Sequence, residues 1–424
     1  MTPPQTATTA PTSDEISAKG KWLVLTAAFL GWMFDGLEMG IFPLVARPAL
    51  LDLMPPGLDP KDFIGLWTAR IIALFLVGAA LGGFAFGWLG DRIGRVRAMS
   101  MSILTYSIFS GLCYFVHSAA QFGMLRFVAA LGMGGEWALG VALVMESWPR
   151  DKRPLLAGII GAASNVGFVL IAVLGLYFKV TKDSWRWVML AGAAPAVLTF
   201  FIQIFVPESE RWKESVKKSG KGSAKEIFAG ERLKTTLLAI AFASIALIGT
   251  WGSVQWLPSW ADQLTGGSQP AAKATTQILA GVGAIIGCLV GAWIGKGVGR
   301  RPVYFGLCLL SLVLCGYLFR FVPSYNGVFL LLVTLVGAVT AAFYGWFPLY
   351  LPELFPTRIR ATGQGLCYNF GRILAAGGAL GQGQLMAHYG GSYAQAGAVI
   401  TLVYILGMIL IWFAPETKDK PLPE

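Results

Sequence analysis

The chain is predicted to be an all-α membrane protein, with twelve transmembrane helices in two pseudo-symmetric six-helix bundles. Three observations predict it. The 424 residues are 55% hydrophobic and only 13% charged, and the mean hydropathy is +0.64, whereas soluble domains carry about 25% charged residues. Apolar runs of roughly 20 residues, the length a helix needs to cross a bilayer, recur along the chain. The second half also repeats the first.

In chain order the expected spans are 22–46, 65–89, 98–117, 121–147, 154–178, 186–206, 235–261, 275–297, 302–322, 327–351, 359–387 and 392–414. Gly and Pro are frequent inside them, as transmembrane helices tolerate. Before the first span, residues 1–20 form a Thr-, Pro- and Ala-rich tail that reads as disordered. That span is too long for a signal-peptide core and should remain in place. Residues 21–206 and 235–414 are the two bundles, 207–234 a Lys-rich linker and 415–424 a tail.

The net charge of +11 is a topology signal rather than a nucleic-acid footprint. Arg92, Arg95 and Arg97 follow the second span, Arg150, Lys152 and Arg153 the fourth, Lys296, Arg300 and Arg301 the eighth, and Arg358 and Arg360 the tenth. Lys179, Lys182 and Arg186 are the exception among the intervening loops. The positive-inside rule then places both termini in the cytoplasm, and the 207–234 linker can also meet anionic lipid. The five cysteines, Cys113, Cys288, Cys308, Cys315 and Cys367, sit in apolar runs and read as core residues, with no metal site.

The repeat is specific. Gly82, Gly90, Gly94 and Arg95 return as Gly287, Gly295, Gly299 and Arg300. Glu146, Pro149 and Arg153 return as Glu353, Pro356 and Arg360; Gly161, Asn165 and Gly167 as Gly365, Asn369 and Gly371; Pro207-Glu208 as Pro415-Glu416. A parallel duplication of a six-helix unit is the natural reading.

Polar groups deep inside spans mark the candidate site. Asp35 and Glu38 lie three residues apart in the first span and so share a helical face. An ionised group at the bilayer centre costs about 2.5 kcal/mol or more, so these acids are expected to face a polar cavity. Asp35, Glu136, Asn165, Asn369 and Arg372 all fall near mid-span, the depth at which transporters hold cargo between repeats. Arg372 offers a permanently charged planar fork suited to a carboxylate. Asp35, Glu38 and Glu136 are the proton-carrying candidates, because His117 and His388 stand near the outer span ends. Arg126, also nearer the outer end, is read as snorkelling or as a fixed partner of Glu136. Trp32, Trp251, Trp256, Tyr344 and Trp346 are candidate apolar walls, and Gln255 a further polar contact. Asn165 and Asn369 also fit helix-packing roles, the aromatics core or belt roles, and Arg372 a structural pair.

Gly87-Trp-Leu-Gly-Asp91-Arg92-Ile-Gly94-Arg95 resembles the loop-two motif of the major facilitator superfamily. Pro207-Glu-Ser-Glu-Arg211-Trp212 and Pro415-Glu-Thr-Lys418 resemble the motifs after its sixth and twelfth spans. Asp35-Gly-Leu-Glu38 resembles the first helix of the aromatic-acid symporter branch, the Arg126 to Trp137 stretch the fourth helix of the sialate branch, and the Glu353 to Gly363 stretch, followed by Arg372, helix eleven of several organic-ion families. The second copy of the loop motif departs from the pattern, with Lys296 where Asp91 stands in the first. The resemblance implies the major facilitator fold, no enzymatic activity, no cofactor beyond a coupling proton, and a monomer in the cell membrane. It implies import of a small organic acid (a monocarboxylate, aromatic acid or sialate-like anion) by alternating access. Asp91, Arg92 and Arg95, with Glu146 and Arg153 and with Glu353 and Arg360, would form the cytoplasmic switch. A sugar or polyol symporter, a drug or organic-cation exporter and a non-transporting membrane sensor stay open as alternatives.

Overall fold

The computed structural model describes residues 16–424 except 179, 267 and 270, and the side chains of 61, 378–383 and 387 fall outside that description. Most of the expected N-terminal tail, and Lys179, therefore lie outside the described residues.

The chain forms α1 (Ala18–Asp52), α2 (Pro60–Ile93), α3 (Arg95–Leu112), α4 (Ala119–Ser147), α5 (Arg153–Tyr177), α6 (Trp185–Ala191), α7 (Ala196–Phe205) and α8 (Glu210–Ser219). It continues with α9 (Glu231–Gly252), α10 (Leu257–Leu264), α11 (Ala272–Val298), α12 (Arg300–Phe321), α13 (Gly327–Tyr350), α14 (Arg360–His388), α15 (Tyr393–Ile400) and α16 (Val403–Leu410). Among the described residues, 11 helical stretches are long and apolar enough to cross a membrane: α1 to α5, α6 with α7, α9 with α10, α11 to α13, and α15 with α16. The remaining span is α14, whose 29 residues suffice in length but include polar groups such as Asn369 and Arg372. Three predicted spans, 186–206, 235–261 and 392–414, are broken helices rather than continuous ones. In the sixth, Pro195 lacks an N–H for the helical ladder and caps the start of α7.

Burial sorts the helices by depth. In α4, 83% of the apolar window is buried, against 28% for the α6–α7 stretch. α4 therefore runs through the interior, and α6–α7 turns Phe200, Phe201, Ile204 and Phe205 outward, as a lipid-facing helix must. The two halves meet along α2 with α14, α5 with α11 and α13, and α4 with α14.

The sequence repeat is also a repeat of bonds at the end of the bundle that carries the basic loops. Gly94 and Gly299 have φ of 107° and 114°, values that favour glycine, and they turn the chain into α3 and α12. At each helix start a carboxylate accepts backbone N–H donors, which suits the positive end of the helix dipole. Glu208 takes the amides of Arg95 (2.9 Å) and Val96 (3.1 Å); Glu416 takes those of Arg300 and Arg301 (3.0 Å each). Burial pushes the Glu208 carboxyl above its usual range despite these bonds. Burial acts on Glu416 too, but less, and the amides of Arg300, Arg301, Lys418 and Thr417 hold it below the usual range.

The two copies differ in how they reach across the molecule. Arg95 binds Asp91 (2.7 Å), Glu146 (3.0 Å) and, in the other half, the Thr357 carbonyl (2.6 Å). Asp91 accepts the amides of Ala361 (3.2 Å) and Thr362 (2.8 Å) and the Thr362 hydroxyl. Glu146 also receives Arg360 at 2.8 Å. Three corrections to the expected switch follow. Glu146 pairs with Arg95 and Arg360, not with Arg153, and Glu353 pairs with Arg300 (2.7 Å), not with Arg360. Arg92 is exposed and lies over the Trp88 ring, 4.4 Å from its centroid, outside the cluster. The Arg153 side chain makes no hydrogen bond or ion pair among the described residues, and its Nε is buried without a partner.

Removing one member of a buried ion pair costs on the order of 3–5 kcal/mol. Glu146→Gln is therefore expected to loosen this end of the bundle. Spin labels on the loops after α2 and α13 should report a broader, longer distance distribution than in the parent protein. An unchanged distribution would mean the remaining bonds hold the halves together without Glu146.

Candidate functional site

The polar groups singled out on α1, α4 and α14 converge where the halves meet. Asp35 is completely buried, and the charged groups acting on it include Glu136, Arg372 and Glu38. Glu136 packs against Gly31, one turn before Asp35, and any side chain at residue 31 would occupy the space its carboxylate uses. Arg372 is 4% exposed, and its guanidinium lies over the Tyr368 ring at 5.5 Å.

Rings enclose these groups. Trp137 stacks on Tyr368 with centroids 4.0 Å apart. Trp32 meets both, at 6.3 and 6.4 Å. Tyr344 and Phe347 of α13 approach Tyr368 from the second half, at 6.4 and 6.1 Å. The Tyr344 hydroxyl donates to Thr250 Oγ1 of α9 at 2.9 Å. Residues of α1, α4, α9, α13 and α14 thus make up one polar and aromatic cluster, the central chamber, in which Asp35, Glu136 and Arg372 are buried and Tyr344 and Thr250 half-buried.

What distinguishes the chamber is unspent hydrogen-bonding capacity. Both oxygens of Asp35, both of Glu136, the Trp32 Nε1 and the Arg372 Nη1 are buried without a partner. Each such group costs about 1–3 kcal/mol, more when charged, and buried polar groups are otherwise almost always satisfied. Acceptors and donors left open together, beside aromatic faces, can take a ligand that carries both an anionic end and an apolar body.

Other expected site residues go elsewhere. Glu38 accepts from the Ser110 hydroxyl (2.6 Å) and forms an ion pair with Arg126. Arg126 is 1% exposed, so it is a buried partner of Glu38 rather than a snorkelling residue or a partner of Glu136. Its guanidinium also lies 4.9 Å from the Phe75 ring. Glu38 further lines an apolar cavity of about 620 Å³ within the first half. Asn369 spends its amide N–H groups on the carbonyls of Gly134 (2.9 Å) and Gly365 (3.0 Å), tying α14 to α4. Asn165 reaches Cys288 of α11 at 3.7 Å. Trp346 packs with Tyr304 and Tyr350 instead. In the last turn of α9, Trp251 is half-buried, its carbonyl taken by Trp256, and Gln255, just past the helix, is exposed. Neither touches the chamber through a ring contact or hydrogen bond among the described residues.

Tyr368, Trp137, Phe347 and Thr250 are the chamber residues that sequence reasoning missed. Tyr368 had a usable signal, since it lies four residues before Arg372 and so on the same helical face.

A polar, partly unsatisfied chamber enclosed by two repeated six-helix bundles defines a membrane transporter. The chain belongs to the Major Facilitator Superfamily, whose family model matches residues 24–379. It is 30% identical over 407 residues to the cis,cis-muconate transport protein of Acinetobacter baylyi, covering 93% of this chain and 94% of that one. It is 26% identical over 389 residues to the sialic acid transporter NanX of Escherichia coli, covering 91% and 92%. Its fold matches the proton:xylose symporter XylE with a TM-score of 0.78 at 17% identity, covering 96% and 98%.

Proposed function

We propose that the protein is a proton-coupled importer of small organic acids, working by alternating access between its two halves. The observation that carries the reading is the buried Arg372 guanidinium, with Nη1 unpartnered, facing Asp35 among aromatic rings. A carboxylate docks on that fork, and an unsaturated or ring-bearing body lies against Trp32, Trp137 and Tyr368. Muconate and sialic acid, in the names of the two relatives, are acids of this kind.

Charge balance supports the proton. Two acids face one arginine, so an arriving anion leaves negative charge in excess, and each proton carried by Asp35 or Glu136 removes one such charge. At an inside-negative potential a charge crossing the membrane is worth about 2.3 kcal/mol per 100 mV. An anion unaccompanied by protons would have to climb that field. Glu38, held by Arg126, keeps the first half together beside the chamber. The basic end faces the cytoplasm under the positive-inside rule, with both termini on that side. The Asp91, Arg95, Glu146 and Arg360 cluster then closes the inner door while the chamber loads from outside, and the working unit is a monomer in the cell membrane.

The test is uptake into proteoliposomes with an acid exterior. Muconate, sialate, benzoate and nicotinate are supplied in turn, with xylose as the neutral comparison. Accumulation of at least one acid that collapses with a proton ionophore is expected. Proton-driven accumulation of xylose and none of the acids would replace this reading with a sugar symporter.

A further inference from the structure

A second cavity, about 450 Å³, opens at the basic end between the two halves, remote from the chamber. Its lining includes Arg150, Arg153, Lys296, Arg300 and Lys418 against the acids Asp151, Glu353 and Asp419. The repeat explains why it is there. In the first copy, Asp91 crosses to the start of α14 and accepts the amides of Ala361 and Thr362. In the second copy Lys296 stands at the Asp91 position, and Pro154, with no N–H to donate, stands at the Ala361 position. The tie that closes one side of the basic end is missing from the other.

Two of the cations there, Arg153 and Lys296, have no ion pair among the described residues. Arg153 corresponds to Arg360, but the carboxylate it would use, Glu353, already takes Arg300 at 2.9 and 2.7 Å and the Thr417 hydroxyl at 2.6 Å. Arg150 is paired with Asp419 at 3.3 Å, and Lys418 donates to the Gly297 carbonyl at 2.6 Å. Arg153 is 6% exposed, its Nε has no partner, and the charged groups acting on it include three arginines, Arg211, Arg360 and Arg150, besides Glu353. Lys296 is exposed beside the cavity and has no ion pair among the described residues.

We propose that this cavity binds a phosphate group, which bridges Arg153 of the first half and Lys296 of the second and takes the place of the missing carboxylate. A phosphate offers several charged oxygens to cations converging from different elements, which a single carboxylate does not. Arg153 begins α5, so the anion also meets the positive end of a helix dipole. Both residues stand at the ends of spans, the depth at which lipid phosphates lie, so the group is supplied either by an anionic lipid headgroup or by free phosphate.

The assay contains no substrate, so its result is independent of the transport reading. Thermal unfolding of the full-length protein is followed in neutral detergent with inorganic phosphate against chloride at equal ionic strength. It is then followed in phosphatidylcholine bilayers with and without phosphatidylglycerol. Stabilisation should rise with ligand as binding to the folded state requires. Lys296→Gln and Lys296→Asp should each raise the half-saturating concentration about tenfold or more, the loss of one charge-assisted contact. A response to phosphate in detergent assigns the free anion, and one confined to phosphatidylglycerol bilayers assigns the headgroup. No stabilisation in either medium, or the same stabilisation in both Lys296 variants, overturns the proposal.

Discussion

Arg372→Ala is expected to weaken binding of the carboxylate substrate roughly 30-fold or more, while a neutral amide analogue of the same body loses only a few-fold. Truncating one partner of a buried charge pair typically costs about 2–5 kcal/mol, and each 1.4 kcal/mol is about tenfold in affinity. The Arg372 Nη1 is unpartnered, and the neighbours of its guanidinium in the chamber include Tyr368, over whose ring it lies, Tyr344 and the charge of Asp35. Arg372→Lys separates charge from geometry: the ammonium keeps the charge but loses the planar fork, so its affinity for carboxylates should fall between those of the parent and the alanine variant. Equilibrium binding by tryptophan quenching suits the measurement, because Trp32 and Trp137 flank the site. Equal weakening of the acid and its amide would make Arg372 a structural residue and remove the main support for an anionic cargo.

How much of this was legible in the sequence depends on the range of the interaction. Span positions follow from local apolar length, and nine of the twelve predicted spans match single helices. The other three break where Pro195, the Ser253 region and Thr401 interrupt the ladder. The duplication exposed the basic-end motifs because repeated residues keep their bonds to their own half: Glu208 and Glu416 cap equivalent helices, and Arg95 and Arg300 bind equivalent glutamates. Contacts across the halves were not legible. Whether Glu146 meets Arg153 or Arg360 is decided by which helices pack together, and one-dimensional spacing carries no record of that. The same holds for Glu38. Spacing places it beside Asp35 on α1, yet α4 presents Arg126 to the one and Glu136 towards the other. Trp251 and Gln255 illustrate the opposite error. Depth alone suggested them, but the chain turns out of α9 just beyond Trp251, and both are left outside the ring of aromatics.

Those placements sharpen the second large effect. Asp35→Asn is expected to abolish uphill, proton-driven uptake while leaving substrate exchange across the membrane at a measurable fraction of the parent rate. The substitution keeps volume and removes the titrating charge, so the chamber has one fewer acid to discharge when cargo arrives. Exchange needs only that the loaded protein reorient, whereas accumulation needs the acid to release its proton on the inner side before the empty protein returns. Glu136→Gln should behave alike if the two acids act on a common proton, since both face the same space and neither has a bonded partner. Glu38→Gln should not. It strands the Arg126 guanidinium in the first half, a loss on the order of 3–5 kcal/mol that falls on folding, so its signature is a lowered unfolding temperature. Counterflow and gradient-driven uptake, measured in the same proteoliposomes and normalised to inserted protein, separate the three. Normal accumulation by Asp35→Asn would take the carboxylate out of coupling and leave Glu136, or the Glu38 and Arg126 pair, as the group that must change charge.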